Sequence, residues 1–381
     1  MRVILPTSGV PIKNWATGIE QGAIDQAINL AALPFTFKHV ALMPDSHVGY
    51  GMPIGGVLAT RGVIVPNAVG VDIGCGMVAM QTTIKQIDTE TLKTVMGHVR
   101  NAVPTGFSHQ KEAQAWEGFE RAPELAIIQQ ELGAARKQLG TLGGGNHFLE
   151  FQQDEEGMLW VMIHSGSRNF GLKAAKCYHT QAQELCARWH VQLPDRDLAF
   201  LPLEDQAGQD YLMAINYCLE FARANRDLMM ANVLRILQEL TGTEELDRVN
   251  IHHNYARLES HYGENVMVHR KGATSAQIRE RGIIPGSMGT SSYIVEGLGN
   301  PESFHSCSHG AGRRMGRKQA GRELNLEHEQ ARMAGIVHGL RSQADLDEAP
   351  GAYKDIEEVM ENQVDLVRIT VRLRPLGSIK G

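Results

Sequence analysis

Cysteine is scarce. The five present, Cys75, Cys177, Cys186, Cys218 and Cys307, are odd in number and form no C-x-x-C pair. Neither a disulfide framework nor a structural zinc knuckle is indicated, and a reducing, cytoplasmic setting fits. Long apolar runs are missing as well. Arg61, Asp72 or a glycine interrupts each one before the roughly 20 residues of a membrane span, and the start, MRVILPTSGVPIKNW, offers too short an apolar stretch before Pro6 for an export signal. No membrane partner is expected. Excess positive charge is also lacking: 37 Lys and Arg stand against 43 Asp and Glu, a net −6, which argues against non-specific coating of nucleic acid. There is no Walker A segment and no G-x-G-x-x-G helix start, so any nucleotide would be held in another way.

What is present suits a globular protein. The 381 residues, 43% hydrophobic and 21% charged, can bury a large core. Residues 17–32 read as a helix closed by Pro34, and Thr36–Met43 reads as a strand followed by a loop at Pro44-Asp45. From Gly49 to Gly76 eight glycines alternate with Val and Ile, too glycine-rich for helix and too apolar for a linker, so this stretch should be buried, irregular and close to a ligand. Asp88 caps a helix ending at Pro104, Pro123 opens another that runs to about Leu139, and further helices fill 170–190 and 206–240. Strands are expected at His147–Phe151, Met158–His164, Val249–His252, Val266–His269, Ile283–Met288 and Ser292–Val295. A last one starts at Val367, with Lys380-Gly381 just past the sheet. Without a Pro/Ser linker or an internal repeat, the reading is one α+β domain over residues 1–381.

Chemistry concentrates in a few segments. VDIGCG at 71–76, GGGNHFLE at 143–150, HSGSR at 164–168 and HHNY at 252–255 each set His, Cys or Asp in glycine or at a strand end. Together they offer a carboxylate, a thiolate and imidazoles, the donors that divalent transition metals favour. Taken alone, each is weak: a lone histidine is more often a satisfied core or surface residue, and Cys75 reads equally as a small buried hydrophobe. A fifth segment, SCSHGAGRRMGRK at 306–318, sets His309 among small residues and follows it with basic ones. Five Lys or Arg and no acid lie between His305 and Arg322. Read functionally, the histidine is a nucleophile toward phosphate and the arginines clamp a polyanion; read structurally, this is a solvated basic loop.

Nine segments in order carry a resemblance: MPDSHVGYGMPIGG at 43–56, GVDIGCGM at 70–77, GTLGGGNHFLE at 140–150, HSGSR at 164–168, HHN at 252–254, PGSMGTSSY at 285–293, SHGAGR at 308–313, AYKD at 352–355 and RPLGSIKG at 374–381. Read together, they resemble the RtcB-type RNA ligases in their short bacterial form. The resemblance implies a single large domain of mixed β-sheets surrounded by helices. It implies an enzyme that uses GTP and two Mn²⁺ to join an RNA 3′-phosphate or 2′,3′-cyclic phosphate to a 5′-hydroxyl, in RNA repair or tRNA splicing. Carried over by motif, Cys75 would bridge two metals, with Asp72 and His147 completing one and His164 and His253 the other. His309 would attack the α-phosphorus of GTP and carry GMP to the RNA 3′-phosphate.

The resemblance sets the nucleotide against Asn146, His147, Phe148, Leu149, Glu150, His253, Asn254, Pro285, Gly286, Ser287, Met288, Ser292, His309, Gly310, Ala311, Gly312, Tyr353 and Lys380, with Glu150 accepting from guanine N1–H and N2–H₂. Arg168, Arg313, Arg314, Arg317 and Lys318 are the expected RNA contacts. A monomer, with room for an archease-like activating protein, completes the expectation. Ser46, Asn169-Phe170 and Gly316 depart from the family pattern, which suits a specialised paralogue. The rival classes are a metal-dependent phosphoesterase using the same ligands without a nucleotide, which would need neither His309 nor Lys380, and a non-enzymatic RNA-binding module.

Overall fold

Strand-forming segments pair into two large sheets in the computed structural model, which describes residues 1–6 and 8–381. The first sheet has six strands in the order Arg2–Ile4, Ile12–Asn14, Thr36–His47, Ile54–Thr60, Glu264–Lys271 and Asn254–His261. It is antiparallel except where Ile12–Asn14 runs parallel to Thr36–His47. The second has seven antiparallel strands, Glu245–His252, Gly76–Lys85, Met158–Ser165, Phe148–Gln153, Val367–Lys380, Ser292–Gly297 and Arg281–Ile284. Helices pack around both sheets, and the architecture is α+β.

Apolar faces dictate the layering. The helices Thr89–Ala102 and Gln206–Thr241 bury Leu92, Val95, Val99, Met229, Val233 and Leu237 against Val78, Leu149, Phe151, Val161 and Ile163 of the seven-stranded sheet. Asp88 accepts from the backbone N–H groups of Glu90 and Thr91 and caps the first of these helices. Tyr293 and Val295 of the seven-stranded sheet share a core with Val57, Ala59, Val266 and Val268 of the six-stranded one. Among the described residues, no helix is long and apolar enough to cross a membrane.

Several sequence expectations are corrected. The strand from Thr36 does not stop at Met43 but runs through Pro44 and Asp45 to His47, with an irregular register after Leu42. Pro44 is tolerated because this stretch has lost regular pairing. The stretch 49–76 is buried over most of its length, yet it contains the strands Ile54–Thr60 and Val63–Ile64 and the helix Pro66–Val69. Pro123 lies before its helix, which spans Ala126–Gln138. The strand expected to reach Met288 ends at Ile284. Lys380 is not past the sheet: it is the last residue of the 14-residue strand Val367–Lys380 and pairs with Phe148. The strand Asn254–His261 had no counterpart in the sequence reading.

Candidate active site

The chain crosses from one sheet to the other at His253, between Glu245–His252 and Asn254–His261. Around that crossing several strand ends converge. Cys75 precedes the strand Gly76–Lys85, His147 precedes Phe148–Gln153, His164 is the penultimate residue of Met158–Ser165, and His309 follows the short strand Ser306–Ser308.

Cys75, His147 and His164 are buried, and their ligand atoms lie within 4.8 Å of one another. Cys75 Sγ is 3.5 Å from His147 Nε2 and 3.2 Å from His164 Nε2. Asp72 Oδ2 is 3.1 Å from His147 Nε2, and His253 Nε2 is 3.2 Å from His164 Nε2. All five predicted metal ligands are therefore brought together. The ring tautomers suit cation binding. His164 Nδ1 donates to the Asn146 carbonyl at 3.0 Å, which leaves its Nε2 lone pair facing Cys75. His147 Nδ1 lies 3.0 Å from the Leu142 carbonyl and 3.1 Å from Arg168 Nη1. In the tautomer that donates to the carbonyl, its Nε2 lone pair faces Cys75 and Asp72. Asp72 Oδ1 and His253 Nδ1 are buried without hydrogen-bond partners, and a Cβ on Gly166 would sit 2.3 Å from Asp72 Oδ1. Such unpaired, closely packed donors fit a site built for divalent cations.

Electrostatics agree. Burial, and to a lesser degree the Asp72 charge, pushes the Cys75 thiol up. Burial opposes ionisation of Asp72, but a hydrogen bond from His147, in the tautomer that instead carries its proton on Nε2, and then the Arg168 charge outweigh it and hold that carboxyl below its usual range. Burial, then neighbouring imidazoles, keeps His164 and His253 neutral. Neutral imidazoles and a carboxylate are ready ligands, whereas the thiol needs a cation nearby to lose its proton.

His309 stands beside this cluster, its ring 4.8 Å from that of His253. Its Nδ1 lies 2.5 Å from Asp45 Oδ2, which also accepts from the His309 backbone N–H at 3.1 Å. Asp45 is fully buried, and its other oxygen has no partner. With Nδ1 protonated and held, Nε2 keeps a free lone pair. Asp45 belongs to one of the nine segments, but the sequence reading gave it no role. Its sign was an acid two residues from His47, hidden by the expectation of a loop.

His309 opens on a cavity of about 640 Å³ whose walls include Asp72, Cys75, His164, His253, Asn254, Pro285 and Gly310–Gly312. Lys271, also unassigned by the sequence reading, lines it as well. Its ammonium donates to the carbonyls of Tyr50 at 2.5 Å and Asn67 at 3.1 Å, and burial lowers its pKa to about 8. A narrower recess of about 40 Å³ adjoins the cavity through the shared residues Asn146, Phe148, Gly286 and Tyr353. His147, Glu150, Ser287, Met288 and Lys380 also line the recess. Burial pushes the Glu150 carboxyl up to about 8 against a hydrogen bond from Gln152. Lys380 pairs with Asp347 at 2.6 Å, and the Tyr353 hydroxyl with Glu348.

Two predicted nucleotide contacts line neither space. Leu149 is buried in the core of the seven-stranded sheet, and Ser292 Oγ accepts from Gln152 Nε2 at 2.9 Å and from the Gly286 backbone at 3.2 Å, bracing the recess from behind.

The basic residues divide. Arg317 lines the cavity and pairs with Glu348 at 3.1 Å but, like Arg314 and Lys318, is exposed. Arg313 lines the cavity but pairs with Glu348 at 3.0 Å and packs on the Tyr353 ring. Arg314 donates to the Gly351 carbonyl at 2.8 Å, and Arg168 is packed against His147. Ser46 is buried, and its hydroxyl donates to the Gly55 carbonyl at 3.1 Å, which accounts for a polar residue in that position. The structure gives no account of Asn169 or Gly316.

Comparison with known proteins agrees with this arrangement. The tRNA-splicing ligase RtcB family profile matches residues 26–124 and 113–381. The chain is 42% identical over 405 aligned positions to the RNA-splicing ligase RtcB of Escherichia coli strain K12, covering 99% of each protein. It is 41% identical over 99% of each to RNA-splicing ligase RtcB1 of Escherichia coli strain ATCC 25922. It is 33% identical to the tRNA-splicing ligase RtcB of Pyrobaculum aerophilum, covering 99% of this chain and 96% of that one. With its donors gathered around Cys75 and a histidine held by a buried aspartate beside them, the chain belongs to the RtcB RNA ligase family.

Proposed function

We propose that this chain is a GTP- and Mn²⁺-dependent RNA ligase that joins a 3′-phosphate or 2′,3′-cyclic phosphate end to a 5′-hydroxyl. The observation that carries the reading is His309, with Nδ1 on Asp45 and its ring against His253, at the edge of the Cys75 cluster. Asp72, Cys75 and His147 would hold one cation, and Cys75, His164 and His253 the other. When bound, the cations neutralise charge on the reacting phosphates.

The residues divide the remaining work. His309 Nε2 attacks the α-phosphorus of GTP, pyrophosphate leaves, and GMP is held as a phosphoramidate. Asp45 keeps the ring oriented and stabilises the positive charge it acquires. GMP then passes from His309 to the RNA 3′-phosphate, converting a poor electrophile into one with a good leaving group, and the 5′-hydroxyl displaces it. A cyclic phosphate end must first be opened by water to a 3′-phosphate. Glu150 in the recess accepts from guanine N1–H and N2–H₂, which adenine cannot offer. Residues 1–381 would act as one cytoplasmic, monomeric catalytic domain, with an archease-like protein as a candidate activator.

Incubation of the metal-loaded protein with α-labelled GTP tests the reading. An acid-labile label should appear on the wild type and not on His309→Ala, and the labelled protein should seal 3′-phosphate to 5′-hydroxyl RNA. A metal-loaded wild type that takes no label would favour the rival phosphoesterase.

A further inference from the structure

The apolar stripe of the helix Gln206–Thr241 is interrupted at Asn225 and Arg226, both fully buried. A helix needing only to cover a sheet would carry aliphatic residues there, as it does at Ala222, Met229 and Val233, because a buried guanidinium is costly unless every N–H has a partner. Here the partners are specific. Arg226 Nη1 donates at 2.9 Å to the carbonyl of Gly74, next to Cys75, and at 2.9 Å to that of Ser165, next to His164. Arg226 Nη2 reaches His252 Nδ1, next to His253, at 3.2 Å, and Nε donates to Asn250 Oδ1 at 2.8 Å.

Asn225 completes the set. Its Oδ1 accepts from the backbone N–H groups of Gly140 and Thr141 at 2.7 and 3.1 Å, and its Nδ2 donates to the carbonyls of Thr141 and Gly166 at 3.1 Å each and to Ser165 Oγ at 3.2 Å. The Ser165 hydroxyl in turn donates to the Leu142 carbonyl, the group beside His147 Nδ1. The helix also lies too close for any side chain at Gly74: a Cβ there would meet Ala222 Cβ at 2.8 Å.

We infer that Asn225 and Arg226 are positioning residues that set the spacing of the cation ligands, by holding the chain beside Cys75, His164 and His253 and the loop leading to His147. The segments around Gly74, Ser165 and His252 are distant in sequence and meet only as neighbouring strand ends of the seven-stranded sheet, so nothing local to any one of them fixes the spacing of their ligands. A planar fork with five donors in fixed directions joins all three at once, which an ammonium cannot do. This inference rests on the metal-dependent reading but not on ligation itself.

The test is Mn²⁺ affinity and stoichiometry, measured by calorimetry and by metal analysis of the folded protein, for wild type, Arg226→Lys and Val233→Ala. Val233 is equally buried on the same helix and, with no polar side-chain atom, makes no hydrogen bond to the backbone beside the ligands, so it reports plain loss of packing. Arg226→Lys should weaken Mn²⁺ by about tenfold or more, the effect of removing an outer partner of a metal ligand, while Val233→Ala keeps wild-type affinity at an equal or greater loss of melting temperature. If Arg226→Lys does not fold, Ser165→Ala, which removes one hydroxyl of the same network, should lower affinity in the same direction. Wild-type affinity in a folded Arg226→Lys, or losses in both variants that simply follow melting temperature, would overturn the inference. A wild type that binds Mn²⁺ but takes no label from GTP would remove the ligase reading and leave this one standing. A wild type that binds no Mn²⁺ would overturn both.

Discussion

Asp45 Oδ2 accepts two hydrogen bonds from His309, one from the backbone N–H at 3.1 Å and one from ring Nδ1 at 2.5 Å. The contact closes between residues 264 positions apart, so the strand Thr36–His47 and the loop after Ser306–Ser308 are held together where the His309 ring sits. Asp45→Asn keeps the shape but removes the charge that stabilises the ring cation, and it puts an NH₂ group where an oxygen now has no partner. Formation of the GMP adduct in a single turnover should slow by about 10²-fold or more, with Mn²⁺ content unchanged. An adduct rate equal to wild type would remove Asp45 from the mechanism.

Metal and nucleophile variants should fail at different steps. Cys75 lies within contact of both His147 and His164, so Cys75→Ala should lose both ions and with them the GTP adduct. His309→Ala should bind Mn²⁺ and GTP as wild type does yet never take the label. If Cys75 is a packing residue only, Cys75→Ala will lower stability while the metal content of its folded fraction stays the same. Metal analysis alongside thermal melting separates the two.

The difference between what local pattern could and could not tell is visible in these residues. Asp88 and its helix were legible because a cap and a 3.6-residue stripe are local signals. Cys75, His147, His164 and His253 stood out because each sits in glycine or at a strand end, and the family resemblance joined them. Asp45 and Lys271 were missed because their partners are brought to them by sheet topology: Asp45 looked like part of a turn, and Lys271 ends a strand opposite Asn67 and Tyr50. Asn225 and Arg226 were invisible for a related reason. Polar residues in a long helix read as its solvent face until the sheet end they cover is known. The basic run after His309 read as one patch, yet Glu348, far along the chain, draws in Arg313 and Arg317.

Guanine binding should depend on pH through Glu150. Burial raises the free carboxyl to about 8, and guanine N1–H and N2–H₂ can donate together, one to each oxygen, only to its ionised form, so GTP binding should release a proton. Affinity should therefore rise between pH 6 and 8, by up to about tenfold per unit, and level off above 8. The sign for stability is opposite. Because the folded pKa lies above that of the unfolded chain, this group stabilises the nucleotide-free protein fully below about 4.5, and the contribution is lost as pH rises through about 8. Glu150→Gln should abolish the pH dependence of GTP affinity in calorimetry and reduce the preference for GTP over ATP. A slope that persists in Glu150→Gln would assign the proton to another group.

The basic residues should separate into two classes in RNA binding. Arg317 and Lys318 are exposed, so Lys318→Ala should weaken RNA binding about uniformly across sequences and reduce the salt slope by about one, with the GTP adduct unaffected. Arg168 lies 3.1 Å from His147 Nδ1, so Arg168→Ala should disturb the cation site and slow the adduct step before RNA is involved. The same assays should use RNA ends of defined chemistry. Sealing should require a 3′-phosphate or 2′,3′-cyclic phosphate opposite a 5′-hydroxyl, because GMP carried by His309 activates a 3′ end only where a phosphate is there to receive it. Efficient joining of 3′-hydroxyl to 5′-phosphate ends would overturn that mechanism, and a Lys318→Ala salt slope equal to wild type would place the RNA elsewhere on the surface.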